Sequence, residues 1–193
     1  MSFFDSAYRG TPPWDIGRPQ EAFVKLEEKG VIVGDVIDVG CGTGENSLFL
    51  ASKSHVVLGV DSSELAIRKA REKASKRRVV ADFRVWDALH LDKLMMRFDS
   101  AIDCGFFHTL SDGARGRYQQ SLHSVLKQGG TYFMLCFSDK EPESWGGPRR
   151  VSQGEIRDTF ASGWNVDYIR PARFESAFHE EGGKAWLASI KRQ

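Results

Sequence analysis

Apolar residues along the chain fall into short runs separated by polar, helix-forming stretches. The first run, Asp35 to Val39, is compact and suits a buried parallel strand, and Glu45 to Lys53 after it is helix-forming. His55 to Val60 forms a second strand ending at Asp61. Ser62 or Ser63 caps the helix that follows, which carries Glu64 in its first turn and runs to about Lys76. Val79 to Trp86 alternates and ends at Asp87, a third strand, and Phe98 to Cys104 is a fourth. A helix over Asp112 to Leu126 is stopped by Gln128-Gly129-Gly130, and Thr131 to Phe137 is a fifth strand. Strands alternating with helices predict a parallel sheet with right-handed crossovers.

The last third changes character. Pro142, Gly146, Gly147 and Pro148 make Ser138 to Arg150 a loop, with Trp145, Arg149 and Arg150 expected at the surface. Ser152 and Glu155 form a capping box for a helix over Gln153 to Phe160. Trp164 to Glu175 and Lys184 to Lys191 read as two strands joined by His179 to Gly183. With no helix between them they must pair antiparallel. Ahead of the first strand, Phe3, Phe4, Tyr8 and Trp14 are interleaved with glycine and proline. Pro19 suits the first turn of a helix that Gly30 would end. The expected organisation is one domain, an aromatic arm over residues 1–30 leading into a body over 31–193. Such an arm is too apolar for a free tail; packing on the core and covering a ligand are both open to it.

Composition narrows the function classes. A length of 193 residues favours a single domain with a full core. A net charge of +1 gives no electrostatic case for nucleic acid or an anionic membrane. The basic stretch Arg68 to Arg78 has Glu64 and Glu72 four residues before Arg68 and Lys76, the pattern of a solvated helix face. Cys41, Cys104 and Cys136 lie far apart within apolar runs, which points to reduced thiols and a cytoplasmic protein, as does the lack of a signal-like or membrane-length apolar run. His55, His90, His123 and His179 share no spacing, so no metal site is expected.

The candidate chemistry lies in Val36 to Asn46, Val-Ile-Asp-Val-Gly-Cys-Gly-Thr-Gly-Glu-Asn. Strand, glycine turn and helix in succession grip nucleotide-like ligands, because glycines let a ligand lie against bare backbone. Gly40, Gly42 and Gly44 alternate, unlike the G-x-G-x-x-G of dinucleotide folds. Asp38, two residues before the first glycine, suits a cationic ligand and not a pyrophosphate. This stretch resembles the first motif of the class I S-adenosylmethionine (SAM)-dependent methyltransferases, Glu/Asp-x-Gly-x-Gly-x-Gly. The resemblance covers roughly Asp35 to Gln193. It implies an α/β, Rossmann-like, mostly parallel seven-stranded sheet in the order 3-2-1-4-5-7-6, helices on both faces, with SAM as cofactor and S-adenosylhomocysteine as product.

The ends of the strands supply the other candidates. Gly40, Cys41, Gly42 and Gly44 form the close-approach loop, and Asp38 would hold that loop or, through water, the cofactor ammonium. Asp61, about 20 residues after the first glycine, suits ribose hydroxyls, with Ser62 beside it; a helix cap is the plain alternative. In the family the acid and neighbour matching Asp87 and Ala88 meet adenine. Asp103 and Cys104 end the fourth strand, where the methyl group should emerge. Phe106 or Phe107 would flank the sulfonium or the acceptor, since aromatic faces attract cations by up to ~2 kcal/mol. His108 is either a general base or a packing histidine. The segment Pro13 to Pro19 further resembles the thiopurine, thiol and tellurite-resistance branch. That likeness places Trp14 over SAM and brings Tyr8 of the same arm toward the acceptor. Asp103-Cys104-Gly105-Phe106 departs from the Asn/Asp-Pro-Pro-Tyr/Phe of amino-directed DNA methyltransferases.

The expectation is a monomeric or homodimeric methyltransferase acting on S, N or O of a small aromatic or heteroaromatic molecule, in detoxification or secondary metabolism, with no nucleic-acid or membrane partner. An NAD-dependent oxidoreductase and a non-catalytic SAM-binding regulator are the alternatives. Glu45 in place of a third spaced glycine and the terminal antiparallel pair count against the oxidoreductase.

Overall fold

A computed structural model describes residues 3–142, 148–177 and 179–193. Its elements are α1 (Phe3–Ala7), α2 (Glu21–Glu28), β1 (Asp35–Val39), α3 (Glu45–Ser52), β2 (Val56–Asp61), α4 (Glu64–Arg77), β3 (Asp82–Val85), β4 (Phe98–Cys104), α5 (Asp112–Val125), β5 (Leu126–Phe137), α6 (Gln153–Thr159), β6 (Trp164–Ser176) and β7 (His179–Arg192). Short 3-10 helices span Ala88–Leu94 and Phe107–Thr109. The strands form one sheet in the order β3-β2-β1-β4-β5-β7-β6. β1 to β5 run parallel, and β7 is antiparallel to both β5 and β6. This is the α/β sheet expected from the sequence. Among the described residues no helix is long and apolar enough to cross a membrane.

Alternation along β1 sends its side chains to two layers. Ile37 and Val39 join a core with Tyr118, Leu122 and Val125 of α5 and Ile156 of α6, while Val36 packs with Phe23 and Leu26 of α2 and Leu50 of α3. Asp38 lies on the second face, between Gly59 of β2 and Ile102 of β4.

Four boundaries differ from the expectation, each for a local reason. β3 begins at Asp82, not Val79, because Arg78 in the left-handed region ends α4 and Val79 closes that turn onto Ala74. β5 begins at Leu126: Gly129 and Gly130, expected to end a helix, form a bulge inside the strand, and the pairing jumps from Phe98↔Leu126 to Ser100↔Thr131. The expected connector His179 to Gly183 is part of β7, paired to β6 as far as Ser176↔His179, with Gly182 at φ +68 where the register shifts. α2 begins at Glu21, because the Gln20 side chain bonds β6 and does not cap the helix.

Candidate cofactor site

The loop between β1 and α3 takes its shape from three left-handed glycines, Gly40, Gly42 and Gly44, at φ +69, +55 and +83. The amides of Gly40 and Cys41 both donate to the Val60 carbonyl, at 2.8 and 3.0 Å, which ties the loop to β2. Each glycine also accepts a close neighbour. A Cβ at Gly40 would lie 2.8 Å from Cβ of Phe106, one at Gly42 2.6 Å from the Tyr8 hydroxyl, and one at Gly44 2.8 Å from the Phe83 ring. The ligand space therefore lies along the loop's backbone, not over its α-carbons. There a small cleft of about 60 Å³, open to solvent, is bordered by Trp14, Arg18, Cys41, Asn46, Cys104 and Phe174.

Asp61 is tied to both the glycine loop and the turn into α4 and is not itself the helix cap. One carboxylate oxygen accepts from the Gly42 amide at 2.9 Å and the other from the Ser63 amide at 2.8 Å. It thereby fixes the glycine loop and the turn into α4, and each oxygen keeps a lone pair for a ribose hydroxyl. Burial raises its pKa from the ordinary carboxylate value. The helix cap itself is Ser63, whose hydroxyl accepts from the Ala66 amide, while Ser62 is exposed.

Asp38 is buried just beneath the cleft lining. Its Oδ2 accepts from the Ser47 hydroxyl at 2.6 Å, and its Oδ1 is buried with no partner. Burial first, then the charges of Asp103 and Asp61, push it up to about 7. A partnerless buried carboxylate oxygen under a glycine loop fits the cationic end of SAM, and Asp61 fits its ribose.

Strand β4 corrects several expectations. Asp103 does not face the cleft: its oxygens accept from the amides of Phe106 and Phe107 and from the hydroxyls of Tyr118 and Tyr132, at 2.8 to 3.3 Å. Burial pushes it up to about 6, and its work is to brace the turn after β4. Phe107 is fully buried under the Arg115 guanidinium and beside Phe160, so it is core and does not line the acceptor space. Phe106 is half-buried, edge-on to Tyr118 and against Gly40. Cys104 does border the cleft.

His108 does not have the form of a general base. The Phe137 amide donates to its Nδ1 at 3.0 Å, so the remaining proton sits on Nε2 and the ring has no free lone pair. Burial, with Arg150 and Arg115 nearby, lowers it to about 3. Its ring stacks on Phe137 at 5.0 Å between centroids and tilts against Phe174 at 5.7 Å.

Asp87 is exposed and caps the 3-10 helix through the Leu89 amide, while Ala88 belongs to the core; neither borders the cleft. The end of β3 still lies beside Asp61, whose carbonyl accepts from the Trp86 amide. Arg149 is exposed and paired with Asp112 and Glu155, while Arg150 is half-buried over the Phe137 ring; Trp145 lies outside the described residues.

The arm both packs and covers. Trp14 Nε1 donates to the Tyr8 hydroxyl at 3.0 Å over the glycine loop, and Tyr8 is only 4% exposed. Burial and the Asp61 charge push the Tyr8 phenol upward, so it stays neutral. Ser63 donates to Asp5, Lys69 to the Gly10 carbonyl and the Ala177 amide to the Pro13 carbonyl. Gln20 exchanges two hydrogen bonds with the Glu175 backbone, at 2.8 and 2.9 Å, and its own amide donates to Asn46. Lys73 joins Asp15, Thr43 and Glu45 across the loop. The sequence reading missed Gln20, Asn46, Lys73 and Phe174. All but Asn46 act across large sequence separations; Asn46, inside the motif, was read only as helix. Among the described residues no group of histidine, cysteine or carboxylate side chains could hold a metal ion.

Comparison with known proteins agrees with this geometry. Residues 36–130 match a family described as a methyltransferase domain. A 2-heptyl-1-hydroxyquinolin-4(1H)-one methyltransferase of Mycobacteroides abscessus is 37% identical over 205 residues, spanning 100% of this chain and 90% of its own. A probable thiol methyltransferase 2 of Arabidopsis thaliana is 31% identical over 154 residues, 76% of this chain and 65% of its own. A protein solved in connection with the conversion of a disulfide bond into a thioacetal group during echinomycin biosynthesis is 36% identical. It superimposes with a TM-score of 0.88 over 98% of this chain and 91% of its own. The oxidoreductase alternative falls with these findings. Identity running the full length of the chain, on a sheet whose order the glycine motif had already implied, makes this chain a member of the SAM-dependent methyltransferases.

Proposed function

We propose that the enzyme moves the methyl group of SAM onto an acidic heteroatom, an N-hydroxyl or phenolic oxygen or a thiol sulfur, of a small aromatic or heteroaromatic molecule. The observation that carries this reading is the state of His108. It is neutral, and the Phe137 amide occupies its one lone pair, so the candidate base at the end of β4 cannot take a proton. An acceptor that ionises by itself needs no such base. Bound SAM supplies an electrophilic methyl on a sulfonium, and transfer to an anion cancels both charges.

The protein's part is then placement and exclusion of water. The glycine loop and Asp61 hold the nucleoside, and Trp14 and Phe174 wall the cleft. Phe174, backed by the buried His108 and Phe137 rings, presents an aromatic wall of the cleft to an aromatic acceptor. Holding nucleophile, methyl and sulfur in line is worth ~7–11 kcal/mol, and a dry pocket favours a step that destroys charge. The hydroxyquinolone and thiol named for the two curated relatives are both acidic acceptors, which supports the reading. A role in detoxification or secondary metabolism, in the cytoplasm, accords with such acceptors.

The test is S-adenosylhomocysteine release with 1-hydroxy-4-quinolones, phenols, aromatic thiols and non-ionising amines. Turnover confined to the acidic acceptors is expected. Preferred turnover of the amines would overturn the proposal.

A further inference from the structure

Three carboxylates stand at adjoining strand ends around the glycine loop: Asp38 on β1, Asp61 on β2 and Asp103 on β4. They are not equally provided for. Asp103 has four donors and Asp61 two backbone amides. Asp38, 1% exposed, is held by Ser47 alone, its hydroxyl on Oδ2 and its backbone amide, and Oδ1 has no hydrogen-bond partner among the described residues. The groups that share its surroundings are Asp103 from β4, Asp61 from β2, the thiols of Cys41 and Cys104, and the Tyr118 hydroxyl of α5. None brings positive charge. The cation that reaches the loop from α4, Lys73, is engaged by Asp15, Thr43 and Glu45. A buried charge with no counter-ion, held by donors of Ser47 alone, is costly, and protonation removes the cost.

We propose that Asp38 carries a proton in the cofactor-free protein and gives it up to solvent when SAM binds, so that cofactor uptake is coupled to the release of one proton. The O–H bond of the Asp38 carboxyl breaks and the proton passes to the buffer. The positive charge that SAM brings to the loop takes over the proton's role of neutralising this pocket. The neutral thioether product has lost the sulfonium charge, so with S-adenosylhomocysteine the release is smaller and Asp38 regains its proton. A carboxyl that burial lifts to about 7 stands near the pH at which such coupling matters. The inference rests only on SAM being the cofactor, not on the identity of the acceptor.

Calorimetry of SAM binding at pH 6, in buffers of differing ionisation enthalpy, counts the protons. At that pH the ligand's own ammonium, of the α-amino type that titrates near ~7.7–8.0, stays charged. The wild type should release close to one proton with SAM and clearly less with S-adenosylhomocysteine, and its SAM affinity should fall about tenfold per unit below pH ~7. Asp38→Asn should bind SAM at pH 6 with no proton release. Ser47→Ala, which removes the hydroxyl donor to Asp38 and keeps the backbone amide, serves where Asp38→Asn fails to fold. It should carry the release to a higher pH than in the wild type. Binding without proton release in the wild type overturns the proposal, as does equal release by Asp38→Asn or an unmoved pH range in Ser47→Ala. No binding heat together with an unchanged melting temperature on adding SAM would remove the cofactor assignment along with it.

Discussion

The amide of Phe137 donates to Nδ1 of His108 at 3.0 Å, and this one bond fixes what the histidine can do. It sets the tautomer, leaves a single N–H on Nε2, and combines with burial to keep the ring neutral. With SAM saturating at every pH, so that Asp38 is already ionised, the rate against pH should therefore show one acid limb, at the acceptor's own pKa. Assayed with two acceptors that differ in acidity, kcat/KM should shift its limb with the acceptor. A limb that stays near 6 to 7 for both would restore a base on the enzyme. His108→Ala should lower kcat/KM without moving the limb.

Gly42 and Tyr8 are fitted to one another. A Cβ at Gly42 would stand 2.6 Å from the Tyr8 hydroxyl but 3.6 Å from the ring carbon that bears it. Gly42→Ala should destabilise the arm twice over, through that collision and through a backbone φ of +55, which costs an L-residue about 1 kcal/mol or more. Tyr8→Phe removes the collision and leaves an ordinary contact, at the cost of the bond from Trp14. A double-mutant cycle on thermal stability should show Gly42→Ala to be less damaging when Tyr8→Phe is already in place. Strictly additive losses would mean that the two do not meet.

Asp61 supports the loop by accepting from the Gly42 and Ser63 amides, and the proposed cofactor site gives its remaining lone pairs to a ribose. Asp61→Ala should weaken SAM affinity by ~1.5–3 kcal/mol, the scale of hydrogen bonds to a charged group. It should also lower the melting temperature of the free protein, because two backbone amides lose their acceptor. Equal SAM affinity in a folded Asp61→Ala protein would remove the ribose role.

Much of this was legible from short-range pattern. Val36 to Asn46 specifies strand, glycine turn and helix within eleven residues, and the sheet order followed from the family resemblance that this stretch carries. What was not legible depends on partners distant in the chain. The choice between base and packing histidine at His108 is made by an amide 29 residues away. The diversion of Asp103 from cofactor to scaffold is made by Tyr118 and Tyr132. Gly129 and Gly130 carry the signature of a helix stop, and only the pairing of β4 with β5 turns them into a bulge. Gln20 looks like an ordinary first-turn residue until β6 arrives beside it.

Asp38 and Asp103 also set how stability depends on pH. Both are fully buried and both are raised on folding, to about 7 and about 6. A raised carboxyl binds its proton more tightly in the folded than in the unfolded state. Its contribution is complete below the unfolded value near ~3.9 and is lost as pH rises through the folded value. The cofactor-free protein should thus lose on the order of a few kcal/mol between pH ~4 and ~7 from these two groups. His108, lowered to about 3 by burial, opposes them with a gain of stability that ends near pH ~6.5. The Asp38 part is therefore read by chemical denaturation as a difference, and the stability of the wild type relative to Asp38→Asn should fall from pH ~4 to ~7. A difference between the two proteins that does not change with pH would contradict the Asp38 assignment.

The last prediction concerns the arm. Gln20 bonds the backbone of Glu175 in both directions, and Arg18 pairs with the Glu175 carboxylate at 2.7 Å, so the arm's end is sewn to the edge strand β6. The ion pair is largely exposed on the arginine side and is worth little by itself, ~0–1 kcal/mol. The amide is different. Gln20 is 3% exposed, and truncating it removes two bonds to the part-buried amide and carbonyl of Glu175, ~0.5–1.5 kcal/mol each. Gln20→Ala should therefore loosen residues 3–20 and weaken SAM binding, because Trp14 and Tyr8 lose their hold over the loop. Arg18→Ala should do far less. Hydrogen exchange is the measurement: in Gln20→Ala the amides that the arm protects, Ala177 among them, should exchange faster, while those of β1 and β4 keep their protection. If the central strands lose protection together with the arm, Gln20 supports the whole fold and the arm does not act as a separate cover.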